Sequence, residues 1–110
     1  MIKLRTVYTK IPVVYVDGRI VGDDANNLKS TLLDLADRGY DTVALELGEA
    51  HEIDSSGIGA LLATRGRLAQ IGGSMSLVNC SGQLLEDLQN TGVTDLFVCY
   101  DRLQDVLNPS

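Results

Sequence analysis

Short runs of strand character alternate with longer stretches in which apolar residues recur every three or four positions, and few folds accommodate that alternation. Leu4 to Tyr8 alternates apolar and polar residues; after Pro12, Val13-Val14-Tyr15-Val16 resumes a β-branched run, so two strands joined by a tight turn are expected. Asp17-Gly18 reads as the end of the second strand. From Asp24 onward Ala25, Leu28, Leu32, Leu35 and Ala36 share one helical face, which ends near Gly39. Thr42 to Leu47 is almost continuously apolar, as a central strand is, and Gly48 to Ile53 reads as a loop after it. Ile58, Leu61, Leu62, Leu68 and Ile71 mark a second helix, stopped by Gly72-Gly73 before a short strand from Met75 to Val78. Ser81 is placed to cap a third helix that buries Leu84, Leu85 and Leu88 and ends near Gly92. Leu96 to Tyr100 reads as the last strand, and Leu103, Val106 and Leu107 as a short final helix. The order ββαβαβαβα predicts one α/β domain over residues 1–110, with a mixed, mostly parallel sheet, an antiparallel N-terminal hairpin at its edge, and helices covering it.

Composition narrows the function. The 110 residues suit one domain, and 9 Lys plus Arg against 15 Asp plus Glu give a net charge of −6, opposite to what a phosphate backbone attracts, so nucleic acid is not an expected partner. No apolar run approaches the roughly 20 residues that cross a bilayer, and Met1-Ile2-Lys3-Leu4-Arg5 lacks the apolar stretch of a secretion signal, so a cytoplasmic protein without a membrane partner is expected. Cys80 and Cys99 have neither a CxxC spacing nor a histidine nearby and are expected to be reduced, half-buried thiols.

One segment is unlike the rest. Ile53-Asp54-Ser55-Ser56-Gly57-Ile58-Gly59-Ala60 places an acid, two hydroxyls and two glycines where a loop meets a helix. Asp54 or Ser55 can satisfy the free N–H groups of the first turn. Capping does not explain Gly57 and Gly59, because glycine in a helix costs about 1 kcal/mol relative to alanine, and small residues there leave the helix start flat and open to a partner. A serine hydrolase would want a Gly-x-Ser-x-Gly turn, and Ile53 and Asp54 stand where its first glycine would fall; His51, the single histidine, sits in the same segment. Glu49, Glu52 and Asp54 lack the spacing of a calcium loop, and no GxxxxGK[ST] or GxGxxG phosphate cradle is present. An enzyme is therefore not expected, and neither a resident metal nor a cofactor.

At these residues the chain resembles the STAS domain of bacterial anti-sigma factor antagonists. The likeness lies in IDSSGIGALL after a hydrophobic strand, with Gly18-x-Ile20 before it and GGSMSLVN after it, and it covers essentially the whole chain. In that family the serine following the aspartate is phosphorylated by a kinase that is itself the anti-sigma factor. The resemblance implies Ser55 as the acceptor, with Ser56 as second choice, and a partner-binding surface formed by Asp54, Ser56, Gly57, Ile58 and Gly59. It implies as partners a kinase-type anti-sigma factor, bound by the unphosphorylated form and released by the phosphorylated one, together with a phosphatase and other STAS proteins. Many members carry an aspartate where Val21 stands here; Asp23 and Asp24 lie just beyond it. That departure keeps a second implied reading open, a non-switching scaffold or sensory module that binds STAS or transducer proteins.

Overall fold

The computed structural model describes residues 1–108; residues 109 and 110, included in the expected domain, lie outside it. Strand β1 (Lys3–Tyr8) pairs antiparallel with β2 (Pro12–Ile20), forming the expected edge hairpin. Beyond it come α1 (Gly22–Asp37), β3 (Thr42–Ile53), α2 (Ser55–Gln70), β4 (Ser74–Val78), α3 (Gly82–Asn90), β5 (Val98–Tyr100) and α4 (Leu103–Leu107). The five strands lie in sequence order, and β2 through β5 run parallel. Each crossover in such a sheet has the same hand, so consecutive helices stack on one face.

That face holds the main core. Val14, Val16 and Ile20 of β2, Val43, Leu45 and Leu47 of β3, and Met75 and Leu77 of β4 meet Leu28, Leu32 and Leu35 of α1, Leu61 and Leu68 of α2, and Leu84 and Leu88 of α3. The alternate residues Val13, Ala44 and Val78 point to the other face, where Val106 of α4 covers them. Because both faces of its first half are covered, β3 needs the nearly unbroken apolar run seen in its sequence.

Several expected boundaries move. Asp17-Gly18 does not end β2: register shifts between Tyr15 and Asp17 and again between Gly18 and Arg19 absorb the irregularity, and pairing continues to Ile20. Gly18, at φ 120°, takes a conformation that a side chain would resist, and the carbonyl of Met1 would lie 3.3 Å from any Cβ there. The expected loop from Gly48 to Ile53 is strand, with Glu49, Ala50, Glu52 and Ile53 opposite Asp17, Gly18, Arg19 and Ile20. Glu49 and His51 stay exposed and Glu52 is half-buried, while Ala50 and Ile53 are buried. Helix α1 starts at Gly22 rather than Asp24, leaving Asp23 and Asp24 in its first turn, where the positive end of the dipole favours them. Leu96 is not part of β5, because Val93–Leu96 forms a 3₁₀ turn. Ser81 occupies the N-cap position of α3, but its side chain makes no capping hydrogen bond. Cys80 is half-buried as expected, whereas Cys99 is exposed; both are free, and burial pushes the Cys80 thiol up to about 12.

Leu45 is fully buried on the central strand. Leu45→Ala is expected to cost about 2–5 kcal/mol in urea unfolding, and the amides of Val43 to Leu47 should be among the slowest to exchange; exchange there as fast as at the termini would contradict this topology.

Candidate functional site

The C-terminal ends of β2 and β3 lie side by side, Ile20 opposite Ile53, and each strand feeds directly into a helix on the same face. Asp54 is the residue between β3 and α2. Its N–H donates to the Ile20 carbonyl at 3.3 Å, tying the start of α2 to the end of β2. Its side chain is the N-cap of α2: Oδ1 accepts from the Gly57 N–H at 3.1 Å. The other oxygen, Oδ2, accepts from the Gly22 N–H, also at 3.1 Å, at the first residue of α1. One carboxylate thus serves two helix starts, and these donors, Gly57 first, hold its pKa below the ordinary carboxylate value.

The residues expected at a contact surface separate into two kinds. Ser55, Ser56 and Gly59 are exposed and Ile58 is half-buried. Gly57 is buried and does not contribute to an open face. A Cβ there would fall 2.3 Å from Ile53 Cγ1 and 2.5 Å from the Ile20 carbonyl oxygen, so its missing side chain lets α2 press against the two strand ends. Gly59 has nothing within 4 Å of the position a Cβ would take, and the same is true of Gly66 two turns further along. Gly66, which sequence reasoning did not single out, extends the small-residue surface along the outer side of α2, past the exposed Leu62. Neither glycine is explained by internal packing.

Beside Ser55 runs a groove of about 270 Å³, lined by Ile53, Asp54, Ser55, Ile58, Asp87, Asn90 and Thr91. The last three come from the end of α3 and the residue after it. No motif in the sequence marks them, and only the crossover topology brings them to α2. His51 is an exposed residue of β3, and Glu52 is ion-paired to Arg19 across the strand ends. Val21 is the N-cap residue of α1; its neighbour Gly22, rather than a side chain of Asp23 or Asp24, reaches Asp54.

A family model described as STAS domain matches residues 4–106. No curated protein sequence matches. An anti-sigma factor antagonist from Mycobacterium paratuberculosis has a similar structure, with 22% identity and a TM-score of 0.87 over 97% of this chain and 92% of that one. The Bacillus cell fate determinant SpoIIAA in its phosphorylated form is similar at 17% identity and a TM-score of 0.74, over 98% of this chain and 97% of that one. A sulfate transporter family protein from Wolinella succinogenes is similar at 20% identity and a TM-score of 0.77, covering 94% and 86%. At these identities what is shared is the fold.

Two expectations follow. Gly57→Ala should destabilise the domain by about 1–3 kcal/mol through overpacking, while Gly59→Ala and Gly66→Ala should leave stability unchanged or raise it by up to about 1 kcal/mol each; equal effects at all three in chemical denaturation would contradict the division drawn here. Because its native pKa is depressed, the stability that Asp54 contributes is complete above the unfolded value of about 3.9 and is lost as pH falls through the lower native one. Asp54→Asn should therefore be less stable than the wild type at neutral pH, and urea titrations should show that difference shrinking below about pH 4.

Proposed function

Since the chain belongs to the STAS domain family, we propose that it is a non-enzymatic regulatory protein of the anti-sigma factor antagonist kind, switched by phosphorylation of Ser55. The partner is a kinase-type anti-sigma factor, bound by the unphosphorylated form and released by the phosphorylated one. The observation that carries this reading is an exposed serine at the first position of α2, opening onto a helix face where Gly59 and Gly66 have no packing reason to be glycine. The similarity to anti-sigma factor antagonists, SpoIIAA in its phosphorylated form among them, supports it at the level of the fold.

The switch follows from charge and desolvation. A partner laid against the outer side of α2 needs close approach, which the glycines permit. A phosphoryl group on Ser55 adds about −1.5 to −2 charges at neutral pH and three strong acceptors. In the free protein water solvates them. Beneath a partner it is excluded, and an unmatched dianion beside Asp54 and Asp87 becomes costly. The kinase brings its own nucleotide and metal, so the chain needs no cofactor. A phosphatase resets the switch, and the expected location is the cytoplasm; among the described residues no helix is long and apolar enough to cross a membrane.

A second reading is favoured by Val21 and by the likeness to a sulfate transporter family protein: a module that binds other STAS proteins or a transducer without reversible phosphorylation. The two separate in one experiment. Affinity capture from native lysate with wild-type, Ser55→Ala and Ser55→Asp protein should recover a kinase that labels the wild type and not Ser55→Ala, and that Ser55→Asp binds at least about tenfold more weakly. Labelling that persists in Ser55→Ala moves the acceptor to Ser56 or elsewhere, and partners that bind all three forms equally favour the module.

A further inference from the structure

We propose that Cys80 and Cys99 form a dithiol pair that a low-molecular-weight disulfide oxidises to a bond within the chain. Nothing in this depends on Ser55 or on the switch read from it.

The topology brings together two residues that are distant in sequence. β4 and β5 are parallel neighbours, with Leu77 beside Cys99 and Val78 beside Tyr100. Residues in register on neighbouring strands point to the same face of the sheet, so Cys99 lies on the helix-covered face with Leu77, while Val78 and Tyr100 lie on the other. Past Val78 the ladder makes one more bond, from the Asn79 N–H to the Tyr100 carbonyl at 3.0 Å, and then the chain turns. Asn79 has a φ of 62°, and among the described residues it is the one residue other than glycine in the left-handed region. Its side-chain amide donates to the Glu46 carboxylate on β3, which holds the turn in place. The turn stops β4 from running on beyond β5, and Cys80 packs half-buried against the helix-side core, on the same face as Cys99. There the two side chains meet, each thiol with the other as a hydrogen-bond partner.

Access to the pair is unequal, and that sets the order of events. Cys99 is exposed on a strand with no neighbour beyond it, whereas Cys80 is sheltered. The Cys99 thiolate attacks one sulfur of the small disulfide, forming a mixed disulfide and expelling a thiolate. The Cys80 thiolate then attacks the Cys99 sulfur, which breaks the mixed bond and expels the second small thiolate. Two electrons pass from the protein to the reagent, and the protons of Cys80 and Cys99 end on the two small thiols released. Burial holds both thiols above their ordinary pKa, Cys80 at about 12, so thiolate is scarce at neutral pH and the exchange is faster in alkali. Contact between the side chains favours the second step, which needs no chance encounter. The bond fastens the start of α3, whose far end brings Asp87, Asn90 and Thr91 to the groove beside Ser55.

Glutathione is the probe. The full chain, folded or unfolded in urea, is equilibrated at about pH 8 in buffers of graded glutathione to glutathione disulfide ratio, and the products are read by intact mass and peptide mapping. In the folded protein the main product is expected to be the Cys80–Cys99 bond, with an equilibrium constant about tenfold or more above that of the unfolded chain, because the fold holds the thiols together. Cys80→Ser should stop at glutathione attached to Cys99. An equilibrium constant no higher in the folded protein than in urea would overturn the proposal. So would a folded wild type that stops at glutathione on Cys99 with Cys80 free, or one that pairs Cys99 with a second copy instead.

Discussion

The architecture around the site depends on a single carboxylate shared by two helices. Every α-helix begins with N–H groups that have no partner within it. Here α1 and α2 leave neighbouring parallel strands at the same level, Ile20 beside Ile53, so their first residues come close enough for Asp54 to accept from both Gly22 and Gly57. That coincidence requires β2 to reach Ile20, and β2 reaches it only through two register shifts and a glycine with positive φ at position 18. Hairpin, bulges and capping acid form one device, and its product is a fixed starting point for α2. Ser55, the first residue of that helix, is positioned by hydrogen bonds it does not itself make.

The same few residues divide labour by size. Gly57 faces inward, where the Ile53 side chain and the Ile20 carbonyl leave no room for a methyl group. Gly59, two positions later, faces outward into open space. Two helical steps of about 100° each turn glycines two positions apart into opposite roles, one for close packing against the strands and one for close approach from outside. A helix built this way accepts lower intrinsic propensity in its first two turns, which packing of Leu61 and Leu68 into the core offsets further along.

Much of this was legible in the sequence. The order of strands and helices, the edge hairpin, the central place of Thr42 to Leu47 and the importance of the Asp54-to-Gly59 segment follow from periodicity and from residues that packing alone does not demand. What stayed hidden was whatever depends on a neighbour. Glu49-Ala50-His51-Glu52 looks like a loop because its alternation is weak, and it becomes strand because an extended β2 lies alongside. Gly57 and Gly59 look alike as small residues at a helix start, and the two strand ends, the Ile53 side chain and the Ile20 carbonyl, tell them apart. Gly22 carries no signal at all, since it contributes a backbone N–H. Asp87, Asn90 and Thr91 meet the site through the crossover alone.

The electrostatics at this end of the molecule bear on the proposed switch, in which a partner is released while the fold is kept. A carboxylate already holds one N–H of each helix start, those of Gly22 and Gly57, so a second anion at Ser55 cannot take these two without undoing the junction of α1 and α2. A new charge there would be met by the remaining N–H groups of the first turn, by solvent and by salt. In water those sources suffice, because exposed like charges are screened over about 8–10 Å. A partner surface that covers Ser55 removes solvent and salt together and leaves whatever cations the two proteins provide. In a chain of net charge −6, with no Lys or Arg lining the groove at Ser55, that supply is small. Under the proposed function, the fold would carry a modified serine where a partner fitted to the bare one would not, so that the switch would act on the complex and leave the domain as it is.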